Sequence, residues 1–326
     1  MYSWSDDTSD WYGKGSYGYG DRGKAEREEA ARRAAGSGPR TYAGRSGPNE
    51  AMIDPHRHLE SASKNPLVVA VDVTGSMARW PAEIFDRLPL FYNTLSQYRP
   101  DVEVCFAAIG DAGVDRWPLQ VTDFAKGYDL EQQLGALYGE GGGGDAPESY
   151  GLFAWWVEHH VKVPKADQPF LIVFGDAPMH PGVPKAQIQR LLGDASSWSE
   201  PDSLQTWGRL AKAWNTWFLR RPTGRKGDEV DQQWTKAIGA ERIFHIDDEQ
   251  RAVDYAMGLV ARAWGHFADF QKNMLARHDE GKVKAVAEKI RSEGPRVLAC
   301  PSCAARVPAE ATGRFTCTFC GSTLEL

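Results

Sequence analysis

From residue 66 to about residue 277, short continuous apolar runs alternate with longer stretches of helical periodicity, and nothing else in the chain restricts the fold as tightly. Residues 67–71 (LVVAV) are apolar throughout, as a strand covered on both faces requires. Pro81 suits the first turn of a following helix, whose apolar face is Ile84, Phe85, Leu88, Phe91, Tyr92 and Leu95. Strand-like runs recur at 102–109, 170–174, 214–219 and 242–246, and a polar-edged piece at 117–124 fits a sheet edge. Helical patterns lie between them at 130–138, around Trp155 and Trp156, at 183–192, at 204–213 and, longest of all, at 250–277. This alternation predicts an α/β fold: a doubly wound, mostly parallel sheet with helices on both faces. Ligands of such sheets bind beyond the carboxyl ends of the strands. Three carboxylate-bearing turns fall there: Asp72 after the first strand, Asp145 in the glycine run GEGGGGDAPESY, and Asp176 after residues 170–174.

The flanks differ in character. Residues 1–63 read as a disordered aromatic and Gly-rich tail and linker, with too little apolar surface to offset ordering entropy. Its spaced Tyr2, Trp4, Trp11, Tyr12, Tyr17 and Tyr19 fit either a solvated tail or a peptide that anchors on a partner. The main domain is expected over 64–278, a helical linker over 279–296 and a small module over 297–326. A net charge of −6 argues against a dedicated nucleic-acid binder. No stretch approaches the roughly 18 apolar residues that span a bilayer. The start, MYSWSDDTSDWYGKG, lacks the basic-then-apolar layout of a secretory signal, so a cytoplasmic location is expected.

Cysteine usage agrees with a reducing compartment. Cys105 sits in the apolar run VEVCFAAIG and reads as core. The other four form Cys300-Pro-Ser-Cys303 and Cys317-Thr-Phe-Cys320, the CxxC…CxxC pattern of a zinc ribbon. Four thiolates complete a tetrahedron and leave no open position, so such a Zn²⁺ is structural. A module of about 30 residues cannot build a sufficient core, and the metal supplies the missing folding free energy. Redox chemistry would need a thioredoxin-like frame around one pair, and none is apparent.

After the first strand the chain reads DVTGSM. Asp72, Thr74 and Ser76 alternate on a turn opened by Gly75, and alternating oxygens of this kind converge on a hard cation such as Mg²⁺. DVTGS after a buried strand, GGGGDAPE midway and GDAPMHP after a later strand resemble the three loops of the metal-ion-dependent adhesion site of von Willebrand factor A domains. The resemblance implies a six-stranded sheet with Mg²⁺, or Ca²⁺ or Mn²⁺, at its top. Asp72, Thr74 and Ser76 would hold the ion, with Asp176 as the third-loop carboxylate. It also implies an open position that an acidic residue of a partner completes. Thr74 stands where serine is more usual, and the hydroxyl survives. The second loop normally offers a threonine, whereas here it carries Asp145. Asp145 either touches the ion, stands behind a ligand, or caps the helix expected near Pro147. In the first case the site is less electrophilic and more tolerant of Ca²⁺. Glu148 reads as a first-turn helix residue and is left out of the site.

These features lead to a non-enzymatic expectation: an intracellular, metal-dependent protein-binding adaptor. By the resemblance, bacterial proteins of this kind work with MoxR-type AAA+ ATPases, or, when a cysteine module follows, with the kinase and phosphatase partners of TerY-like tellurite-resistance proteins. Two other readings compete with it. A haloacid dehalogenase-like phosphatase needs an acid two residues after its nucleophilic Asp, and Thr74 occupies that place. A structural protein of a phage or particle would assemble through residues 1–63. His159 and His160 share a helix with Trp155 and Trp156 and read as packing or surface residues, His180 as shaping the third loop, and Asp111 and Asp115 as turn residues. Trp198, Trp207, Trp214, Trp217, Trp234 and Trp264 read as core.

Overall fold

The computed structural model describes residues 47–77, 80–127, 129–142, 147–194, 199–221 and 227–326. The doubly wound sheet is present. Its strands are β2 (Pro66–Asp72), β3 (Glu103–Ile109), β4 (Leu119–Val121), β6 (Phe170–Gly175), β7 (Asn215–Arg220) and β8 (Ile243–His245), in the order β4-β3-β2-β6-β7-β8. All neighbours are parallel except the edge strand β4, which is antiparallel to β3. A separate short parallel pair joins β1 (Leu59–Glu60) to β5 (Val161–Lys162). Among the described residues no helix is long and apolar enough to cross a membrane.

Period-two alternation divides the sheet between two cores. Along β2, Leu67, Val69 and Val71 enter one, while Val68 and Ala70 enter the other together with Cys105. The first face is covered by α1 (Trp80–Tyr98), α2 (Asp129–Ala136), α7 (Ala252–Ala263), α8 (Phe267–Leu275) and α9 (Glu280–Glu293). The second is covered by α3 (Tyr150–His160), α4 (Lys185–Leu192), α5 (Ser203–Ala213) and α6 (Gly227–Ile238). Each large apolar side chain fully removed from water here contributes about 1.5–3 kcal/mol. The tryptophans are packing residues: Phe218 stacks on Trp234 with centroids 3.9 Å apart, and Trp207 tilts against Trp234 at 5.1 Å. Trp198 lies outside the described residues.

Three expectations need correction. The tail was expected to stay unfolded to residue 63, yet residues 47–63 are built into the domain, with Ile53 and Leu59 buried. Polar contacts hold them. Arg57 pairs with Asp123 at 2.8 Å, and the Ser61 hydroxyl donates to Glu103 Oε2 at 2.6 Å. The aromatic positions of residues 1–46 lie outside the described residues. The single long helix expected at 250–277 is instead a 3₁₀ turn (Glu249–Arg251) followed by α7 and α8. Gly265, at φ +82°, ends α7, and the His266 N–H reaches back to the Ala261 carbonyl at 2.8 Å, a Schellman closure. Finally, the segment expected as a helical linker forms α9, whose Val283, Val286 and Ile290 enter the first core. The helix α6 was not anticipated.

Candidate functional site

Strands β3 and β6 flank β2 on opposite sides, so the ends of β2 and β6 face the crevice where the winding direction reverses. Asp72 is the last residue of β2, and Asp176 follows the last residue of β6. Just past Asp72 the chain turns through a 3₁₀ segment, Gly75–Met77, and the Gly75 N–H donates to the Gly142 carbonyl at 2.7 Å. The first motif and the glycine run therefore meet. Asp145 itself lies outside the described residues.

The four remaining expected residues set their oxygens in one row, as two hydrogen-bonded pairs in van der Waals contact. Asp72 Oδ1 accepts from the Thr74 N–H at 2.9 Å and the Thr74 hydroxyl at 2.6 Å. Thr74 Oγ1 is 3.3 Å from Ser76 Oγ, and the Ser76 hydroxyl donates to Asp176 Oδ1 at 2.8 Å. Arg221 donates to the Ser76 carbonyl at 2.7 Å and anchors the turn.

Two residues of this site were not anticipated. The Tyr150 hydroxyl donates to Asp72 Oδ2 at 2.5 Å. It reaches that place because Gly175 carries no side chain: a Cβ there would stand 2.2 Å from the hydroxyl oxygen. Glu148 is the other. The helix begins at Tyr150 and Ser149 takes the cap position, so Glu148 lies before the helix and not in its first turn. Glu148 instead bridges to Met179, with its N–H on the Pro178 carbonyl at 2.8 Å, and is buried beside Thr74. Its Oε2 has no hydrogen-bond partner among the described residues. The signal available in sequence was its position, one turn after a glycine run at the carboxyl end of the sheet.

The electrostatics follow from burial. Removal from water and the nearby Asp176 charge push the Asp72 carboxyl up to about 7, against hydrogen bonds from Thr74 and Tyr150. Burial, with the charges of Asp72 and Asp111, pushes Glu148 up to about 10. Burial also raises Asp176, opposed by the Ser76 hydrogen bond and by Arg221 and Arg220. Three crowded carboxyls, one with an orphaned oxygen, are the donor set that a hard divalent cation satisfies. The residues present fit such an ion. His180 Nε2 stands 3.7 Å from Asp111 Oδ1 at the margin.

The C-terminal module has its own geometry. Strands β9 (Arg314–Thr316) and β10 (Thr323–Glu325) form a hairpin beside a core of only Cys300, Val307, Cys317 and Leu324. Cys300 Sγ is 3.6 Å from Cys320 Sγ, and Cys303 Sγ is 3.7 Å from Cys317 Sγ. All four sulfurs lie within 4.8 Å of one another, and the two short edges are close to the roughly 3.8 Å of a zinc tetrahedron with bonds of about 2.3 Å, so the cluster could hold Zn²⁺. Each CxxC is followed by a left-handed residue, Ala304 at φ 60° and Gly321 at φ 75°. The module docks at the amino ends of the strands. Arg99 donates to the Cys300 carbonyl at 3.2 Å, and Gln168 to the Leu298 carbonyl at 2.8 Å.

No family model and no curated protein matches this chain. Among solved structures it is similar to proximal thread matrix protein 1 of the mussel byssus, with 11% identity and a TM-score of 0.44, over 62% of this chain and 48% of that one. It is also similar to the pilus adhesin SpaC of Lactobacillus rhamnosus GG in its open conformation, with 10% identity and a TM-score of 0.38, over 71% of this chain and 31% of that one. The chain thus spans less than half the length of either structure.

Proposed function

We propose that the carboxyl-end face of the sheet is a divalent-cation site of the von Willebrand factor A type, and that the protein is a non-catalytic, metal-dependent binding module. The observation that carries this reading is the row of oxygens Asp72–Thr74–Ser76–Asp176 across the crevice. Mg²⁺ is the expected ion, held by those four residues, with Asp145 and Glu148 as further carboxylates. When bound, it supplies a Lewis-acidic position for an Asp or Glu of a protein partner. The chain's own residues orient the site: Tyr150 and Thr74 fix Asp72, Ser76 holds Asp176, and Arg221 holds the turn. A phosphatase reading is less well supported. That chemistry needs an acid two residues after the nucleophilic Asp, and Thr74 cannot serve as one.

In this reading the protein is a cytoplasmic adaptor, and the cysteine module holds structural zinc. The architecture suits a MoxR-type AAA+ ATPase or a TerY-like kinase and phosphatase system as context. Calorimetric titration of the full chain with MgCl₂ tests the site. Wild type should take up one ion that Asp72→Asn binds at least about tenfold more weakly, since the conversion removes one charged ligand. Partners captured from the native host should elute with EDTA. Equal Mg²⁺ uptake by both proteins, or capture indifferent to EDTA, refutes the proposal.

A further inference from the structure

Far from the oxygen cluster, three residues with ligand-type side chains meet where the N-terminal arm crosses the ends of two helices. β1 pairs with β5 so that Leu59 lies opposite Val161, which brings the preceding residues, His58 and His160, side by side. Their rings stack with centroids 4.2 Å apart and planes within 4°. Asp194, which follows the left-handed Gly193 cap of α4, places Oδ2 at 2.9 Å from His160 Nε2. The ligand atoms of His58, His160 and Asp194 all lie within 4.8 Å of one another.

We infer that His58, His160 and Asp194 form a separate site for Zn²⁺ or a similar borderline divalent ion. The His160 side chain is completely buried, and both its nitrogens face acceptors: Nε2 faces Asp194, and Nδ1 lies 3.3 Å from the Arg57 carbonyl. A neutral imidazole has one donor and one acceptor and satisfies only one of these contacts, whereas an imidazolium or a metal-bound ring satisfies both. With Nδ1–H given to Arg57 and a cation at Nε2, both are satisfied. That is the usual outer support of a metal-bound histidine. Helices α3 and α4 both end here, at His160 and Leu192, and the partial negative charge of each terminus favours a cation. Two imidazoles and one carboxylate select zinc-like ions over Mg²⁺. The exposed His58 leaves a further coordination position to water, and the ion would clasp the arm to the domain.

The test is zinc titration of the full chain against a chromophoric chelator, with millimolar Mg²⁺ present to fill hard-oxygen sites. Wild type should hold one more zinc per chain than His58→Ala and Asp194→Asn, with that affinity falling at least about 10- to 100-fold in each variant. His58 is exposed, so its replacement leaves the fold intact. Equal stoichiometry and affinity in wild type and His58→Ala would overturn the inference. So would X-ray absorption showing only sulfur neighbours around all bound zinc; a plain His160–Asp194 hydrogen bond would give that result.

Discussion

Gly175→Ala tests the joint between the sheet and the oxygen cluster. The new Cβ would stand 2.2 Å from the Tyr150 hydroxyl oxygen and 3.0 Å from both Tyr150 Cζ and Phe218 Cε2. Tyr150 is fully buried, so it moves only by displacing its neighbours. Overpacking of this kind costs about 1–3 kcal/mol. Withdrawal of the hydroxyl from Asp72 Oδ2 leaves a buried polar group short of a partner, about 1–3 kcal/mol more. The variant should therefore lose about 2–6 kcal/mol in urea unfolding followed by tryptophan fluorescence. Tyr150→Phe alone loses the hydrogen bond but opens the space its oxygen filled. On that background Gly175→Ala keeps only the two 3.0 Å contacts, and it should cost about 1–2 kcal/mol less than in wild type. Equal costs on both backgrounds would refute the claim that the hydroxyl is what Gly175 accommodates.

A second prediction concerns acid. Asp254 is buried, with Arg251 Nη1 at 3.2 Å, His278 Nε2 at 3.5 Å, Arg277 Nη1 at 3.8 Å and Arg87 Nη2 at 3.9 Å. Burial alone would raise its pKa, but the hydrogen bond from His278 and the charges of Arg87 and Arg277 outweigh burial and hold it well below the usual carboxylate range. Its folded pKa lies below the unfolded value, so its contribution is present above about pH 4 and fades as the pH falls further. Asp254→Asn should cost about 3–5 kcal/mol at pH 7. The difference from wild type should shrink between pH 5 and pH 2, and urea midpoints with a constant gap would contradict this. Third, Ala304 in a left-handed conformation bears a strain of about 1–2 kcal/mol, only part of which glycine's chain entropy would return. Ala304→Gly should therefore tighten zinc binding by the cysteine module about two- to fivefold in chelator competition, and a weaker affinity would count against this account.

The layered sheet was legible because β2, β3 and β6 are apolar along their length, and a buried parallel strand has no other way to be written. Asp72, Thr74 and Ser76 were legible for a related reason: a rigid strand followed at once by alternating oxygens leaves few arrangements. Glu148 was not, because the carboxylate reads equally well as a favourable charge at a helix start, and only the Met179 bridge turns it inward. Helix α6 hid among polar residues, although its Val230, Trp234, Ala237 and Ile238 keep helical spacing. The arm at 47–63 escaped notice because Arg57, Ser61 and Ser63 secure it by hydrogen bonds to distant acidic residues, and such pairing leaves no periodic trace. His58 and His160 lie about a hundred positions apart, and only the β1–β5 register makes them neighbours.

The cysteine module is fastened at Arg99 and Gln168, which precede β3 and β6, whereas Asp72 and Asp176 lie where β2 and β6 finish. A seven-residue strand is about 23 Å long, so sulfur and oxygen chemistry occupy opposite poles of one stiff axis. A body resting on either pole leaves the other bare. Two visitors can thus share this chain without meeting, at a spacing that the sheet, not a linker, decides.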